Sequence, residues 1–109
     1  MARKTTTLFL AVCGCMLLQV PARADDAAAK LFQSKCAACH AADGGGNTVA
    51  GKALKIVDLR DPEVQKKSDA DLIAVVTKGK DKMPAYEKTL KTDEINSLVA
   101  YVRELAKKK

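Results

Sequence analysis

Cys36, Ala37, Ala38, Cys39 and His40 form the run CAACH, which places two thiols and an imidazole within five residues and contains the only histidine of the chain. On a helix, Cys36, Cys39 and His40 fall at i, i+3 and i+4, so their side chains leave one face and can meet one flat ligand. That spacing attaches a c-type haem: each thiol adds to a haem vinyl group as a thioether, and the adjacent imidazole coordinates iron. Other uses of paired cysteines need partners that the sequence lacks. A thioredoxin-like dithiol calls for a βαβ pattern, and tetrahedral zinc calls for a matching ligand cluster. The expected cofactor is therefore one haem c, bound through Cys36 and Cys39 and ligated by His40.

The chemistry then turns on what occupies the opposite side of the iron. Met83 is the natural candidate, 43 residues after His40 and followed by Pro84, which fixes the backbone behind it. Most methionines fill gaps in cores. This one stands in the polar run GKDKMPAYEKTLK, away from any apolar helix stripe. A thioether is a soft, neutral ligand that favours ferrous iron, so a His40/Met83 pair raises the reduction potential. Two protein ligands also leave no open position for a substrate, which favours electron transfer over catalysis. A peroxidase-like enzyme or a gas-binding module would need Met83 off the iron or readily displaced.

The N-terminal stretch removes most competitors for these roles. Arg3 and Lys4, a 13-residue mostly apolar run from Leu8 to Val20, and the small-residue ending Ala22-Arg23-Ala24 read as a secretory signal peptide over 1–24. The apolar run is shorter than the ~20 residues that a spanning helix needs. Cleavage after Ala24 discards Cys13, Cys15, Met1 and Met16, leaving Cys36 and Cys39 as the only thiols and Met83 as the only thioether. Lipidation at Cys15 is the minor alternative. The full chain has a net charge of +6, but loss of Arg3, Lys4 and Arg23 leaves 16 basic against 13 acidic residues. The remaining 85 residues permit one domain, 25–109, with a thin core whose aromatics are Phe32, Tyr86 and Tyr101. A domain of that size usually needs a staple, and a covalently attached apolar cofactor would be one.

Four segments carry helical patterns that could position the site. Asp25 and Asp26 can cap a helix leading through AAAKLFQSK to Cys36, with Leu31 and Phe32 buried. The stretch AADGGGNTVAG at 41–51 reads as a loop, and 53–57 as a short turn. Asp61 with Pro62 starts a short helix to about Lys67. Ser68 with Asp71 opens a helix over 69–78 that carries Leu72, Ile73, Val75 and Val76 and stops at Gly79. Thr92, Asp93 and Glu94 begin the last helix, where Ile95, Leu98, Val99, Val102, Leu105 and Ala106 recur at helical spacing. No alternating strand or internal repeat is evident, so the expected class is all-α with long loops.

CAACH at 36–40, KGKDKMPAY around Met83 and the terminal LVAYVREL at 98–105 together resemble the class I c-type cytochromes, in particular the small bacterial monohaem members. The resemblance covers nearly all of 25–109. It implies a cytochrome c-like fold of three to five helices around one covalently attached haem. It also implies that the helix holding Phe32 crosses the last helix near Leu98 and Tyr101, and that Met83 is the distal ligand. Two departures stand out. Family members often have a proline shortly after CxxCH, whose carbonyl accepts the proximal imidazole N–H; glycine, asparagine, threonine and valine stand there instead. The tryptophan that contacts a haem propionate in some relatives is also missing, with Tyr86, Asn47 and Thr48 as candidate substitutes.

The function expected on these grounds is an exported monomeric carrier of single electrons between membrane or periplasmic redox enzymes, free or docked as a subunit of one. Lys78, Lys80, Lys82, Lys88 and Lys91 surround Met83 in sequence with only Asp81 and Glu87 to offset them. Such a rim would steer the site toward redox partners with acidic docking surfaces. Nucleic acid is a poor partner for this chain, because the processed net charge is small and no array of stacking aromatics accompanies the lysines. No small-molecule substrate is expected.

Overall fold

The computed structural model describes residues 24–109 and the isolated Gly14, with side chains described from Asp26 onward. The leader expected over 1–24, with its alternative anchor at Cys15, lies outside the described residues but for Gly14 and Ala24. Six helical segments follow in order: α1 (Ala24–Lys35), α2 (Ala37–His40), α3 (Val49–Ala53), α4 (Pro62–Gln65), α5 (Asp69–Lys78) and α6 (Thr92–Lys107). Among the described residues there is no strand beyond an isolated bridge between Lys80 and Met83. The all-α expectation holds, and the count exceeds three to five because α2, α3 and α4 are pieces of about one turn.

The core forms where α1 packs on α6. Phe32, 1% exposed, meets Tyr101 with ring centroids 5.3 Å apart and planes tilted by 55°, an arrangement favoured by the ring quadrupoles. Ile95, Leu98, Val99 and Leu105 are buried along one stripe of α6, and Phe32 and Leu90 complete the cluster with Ile95, Leu98 and Leu105. Leu31, expected to be buried, is only half-buried at the margin of this core, whereas Ala28, on the preceding turn, is fully buried.

Capping marks the start of three of the six helices, α3, α5 and α6, whereas α1 starts at Ala24, so that Asp25 and Asp26, expected to cap it, lie within its first turn. Ser68 Oγ accepts the Asp71 amide at 3.1 Å to open α5, and Gly79, at φ 76°, ends it. Asp61 occupies the N-cap of α4 without a side-chain bond. The last helix, α6, begins at Thr92 as expected; Lys91 is its cap, and the Glu94 carboxylate accepts the Lys91 N–H at 2.9 Å. The expected 41–51 loop ends early, because Thr48 caps α3 by accepting the Gly51 amide.

Two arginines tie the loops to the helices. Arg103 on α6 donates to the carbonyls of Gln65 (2.9 Å) and Lys67 (2.6 Å) and to the Asp69 carboxylate (2.9 Å), fastening the α4–α5 junction. Gln65 in turn donates to the Leu59 carbonyl at 2.7 Å. Arg60 makes a two-pronged pair with Asp58, both bonds 2.9 Å, and lies 3.4 Å from Asp43. The Leu59 amide bonds the Gly44 carbonyl at 2.9 Å, so the 43–46 loop is held against 58–60.

Candidate functional site

CAACH is an extension of α1. The Cys36 amide bonds the Phe32 carbonyl at 2.8 Å, and the amides of Cys39 and His40 both bond the Cys36 carbonyl, at 3.2 and 2.9 Å. The pentapeptide is therefore helical, as its spacing requires if two thiols and an imidazole are to share a face. Ala41, at φ 64°, ends the turn immediately after His40.

Cys36, His40 and Met83 line one cleft. Phe32, Leu59, Leu72, Val75 and Val76 supply much of the rest of its wall, so the half-buried apolar face of α5 looks onto the site. The cleft has a volume of about 80 Å³, below the ~300–1,000 Å³ common for cofactor sites. Cys39 is half-buried on the same turn as Cys36 and is not part of this wall. A wider depression between α1 and α6, lined by Ala27, Leu31, Ser97 and others, is more open to solvent and carries no sulfur or imidazole among the described residues.

Met83 reaches the cleft on a tight reversal. Its amide and carbonyl both bond Lys80, at 2.9 and 3.1 Å, and Asp81 takes a left-handed conformation at φ 52° in the turn between them. Sequence spacing could not show this convergence, since His40 ends α2 and Met83 lies on the connector after α5, 43 residues on.

The chemistry of the donors suits a haem. Burial lowers the His40 pKa, which favours the neutral imidazole that a metal ligand must be. Cys36 is pushed up to about 11, by burial first and by Cys39 second, and both thiols are free. His40 Nδ1 is buried without a hydrogen-bond partner among the described residues. None of their carbonyls takes the part of the proline carbonyl that the family resemblance implies.

Two of the candidate propionate contacts are already engaged. Tyr86 donates its hydroxyl to the Lys35 carbonyl at 3.1 Å, and Thr48 donates to the Cys39 carbonyl at 2.9 Å while accepting from Gly51 at 2.8 Å. Asn47 is exposed. Of the lysines, Lys78 is paired with Glu87 at 2.8 Å. Lys80, Lys82, Lys88 and Lys91 are exposed around the methionine loop.

Sequence spacing does not mark Thr48, Gly51 and Arg60 as organisers of the site. The only local sign is Thr48 three residues before a small residue, a capping pattern masked by the surrounding glycines.

Comparison with known proteins agrees with this geometry. A family model described as cytochrome C oxidase, cbb3-type, subunit III matches residues 23–102. Cytochrome c6 of Nostoc sp. is 45% identical over 85 residues, covering 75% of this chain and 73% of the relative. Cytochrome c6 of Leptolyngbya boryana is 42% identical over 85 residues, covering 76% of this chain and 96% of the relative. The solved structure of the KustC0563 c-type cytochrome superposes with a TM-score of 0.67 at 31% identity, covering 72% of this chain and 95% of that one. The chain belongs to the class I c-type cytochromes, small monohaem electron-transfer proteins whose haem c is held covalently through cysteine.

Proposed function

We propose that Cys36 and Cys39 carry the haem, that His40 and Met83 ligate its iron, and that the protein works as an exported one-electron carrier. The observation that supports this assignment most is that Cys36, His40 and Met83 wall a single apolar cleft although Met83 comes from a loop beyond α5. When bound, the haem supplies a reversible one-electron couple. Around it, Leu59, Leu72, Val75 and Val76 exclude water, and the burial of His40 keeps its imidazole neutral. Among the described residues, the cleft wall carries no carboxylate, lysine or arginine. It therefore offers no such group to relay the protons that peroxidase-type chemistry would need.

The proposal extends to processing and partners. Cleavage after Ala24 delivers residues 25–109 to the periplasm, where the domain acts as a monomer. The exposed Lys80, Lys82, Lys88 and Lys91 favour redox partners with acidic docking surfaces. The assignment is tested by Met83→Ala in protein matured with its haem. The variant keeps covalent haem, has a lower reduction potential and binds carbon monoxide rapidly when reduced, which the unaltered protein does not. An unchanged spectrum and potential would overturn Met83 as ligand.

A further inference from the structure

We propose that Thr48 is the positioning residue for the His40 imidazole, acting through the backbone of CAACH. This rests on the reading of His40 as an iron ligand. A ligating histidine is ordinarily held by a hydrogen bond from its second ring nitrogen to a carbonyl, carboxylate or water. Here that nitrogen, Nδ1, is buried and bonded to nothing among the described residues. With no acceptor on the ring, its plane is set by where the backbone puts it.

That backbone is clasped on both sides of the ring. Thr48 Oγ1 donates to the Cys39 carbonyl at 2.9 Å, and the Gly46 amide donates to the His40 carbonyl at 2.7 Å. The same Thr48 oxygen accepts the Gly51 amide at 2.8 Å, so one hydroxyl joins the turn bearing the ligand to the cap of α3. Ala41 leaves the helical path at φ 64°, so the carbonyls at the end of this turn need partners from outside it. A threonine is well suited to the role, because its branched Cβ stiffens χ1 and fixes the direction of the hydroxyl.

Gly51 makes the clasp close. A Cβ at this position would collide with the carbonyls of Gly46 and Cys39, so the α3 backbone lies directly against the haem-attachment turn. The Gly51 carbonyl accepts the Ile56 amide at 2.9 Å, which anchors α3 from its other side. Thr48 thus links two backbones that are already in contact, and losing its hydroxyl frees the Cys39–His40 peptide to tilt. The imidazole would follow.

The experiment compares the haem-loaded protein with Thr48→Val, which keeps the branched shape and removes the hydroxyl, and Thr48→Ser, which keeps the hydroxyl. The spread of the four haem-methyl proton resonances in the ferric state reports the plane of the axial imidazole, and the reduction potential reports its bonding. Thr48→Val is expected to redistribute the methyl shifts and to change the reduced-to-oxidised ratio at fixed ambient potential by about threefold, the scale of one net hydrogen bond. Thr48→Ser restores both. If Thr48→Val lowers only the thermal midpoint and leaves the shifts and potential unaltered, Thr48 is structural and the proposal is overturned. Should Thr48→Val mature poorly, Thr48→Ala is read in the same way. The underlying reading fails separately, and visibly, if His40→Ala retains the absorption spectrum of the unaltered protein.

Discussion

Gly79 lies directly against Met83: a Cβ on Gly79 would stand 2.7 Å from the Met83 carbonyl oxygen and 2.9 Å from the Ala85 amide nitrogen. Gly79 also sits at φ 76° and ψ 170°, a region essentially kept to glycine, where other L-residues are strained by ~1–3 kcal/mol. The residue that ends α5 is thus the one that lets the proposed ligand loop fold back. Gly79→Ala is expected to cost about 1–3 kcal/mol and to push the Met83 backbone outward. The haem stays attached, while carbon monoxide binds the reduced variant faster than the unaltered protein. Flash-photolysis or stopped-flow binding with unchanged rates would show that the loop absorbs the extra methyl.

Acid should weaken the protein partly through Asp58. Its carboxyl is held at about 2, chiefly by the side-chain hydrogen bonds from Arg60. A carboxyl with a folded pKa below its ordinary value contributes stability that is complete above about pH 4 and is lost as pH falls toward 2. Asp58→Asn keeps the shape and loses that dependence. Denaturant titrations of the two haem-loaded proteins between about pH 5 and 2 should converge at the acid end, and parallel curves would contradict the assignment.

Arg103 and Asp69 should differ in weight although they form one pair. The Arg103 guanidinium also satisfies the Gln65 and Lys67 carbonyls, and its side chain is 25% exposed against 71% for Asp69. Arg103→Leu is expected to destabilise by about 2 kcal/mol, since hydrogen bonds from a charged donor are lost. Asp69→Asn should cost less than about 1 kcal/mol, as exposed ion pairs do. Equal losses by calorimetry would mean that the ion pair, and not the carbonyl bonds, carries the contact.

The lysine rim should make association with an acidic partner dependent on salt. Raising ionic strength from about 0.01 to 0.15 M shortens the screening length from ~30 to ~8 Å, so electron transfer to an acidic redox protein should slow steeply. Lys80→Gln and Lys82→Gln should flatten that dependence. Lys78→Gln should flatten it as well, because it removes one positive charge and leaves the Glu87 carboxylate unpaired. Rates indifferent to salt in the unaltered protein would rule out steering.

Elements that depend on neighbours along the chain are legible in the amino-acid sequence. Ser68 with Asp71 and Gly79 bound α5, and the spacing of Ile95, Leu98, Val99 and Leu105 defines α6, because caps and amphipathic stripes are written within a few residues. The α3 turn is not legible in this way. Thr48 bonds Cys39 nine residues back and Gly51 touches the Gly46 and Cys39 carbonyls, so the helix there exists through contacts that a run of glycines conceals. Leu90 is hidden for a related reason. It sits in a polar connector and is buried only because the core of α1 and α6 lies beneath it.

By itself the sequence determined the attachment chemistry, because CAACH is a contact between residues one helical turn apart, and it supplied a single thioether outside the expected leader to complement His40. Only the tertiary structure decided that Met83 and His40 share one cleft, that His40 Nδ1 has no acceptor among the described residues, and that Thr48 and Gly79 bear on the CAACH turn and the Met83 connector. The longest of these relations joins residues more than forty positions apart. Local spacing cannot encode them, and they arise when α1 closes on α6 and draws the intervening loops against the cleft.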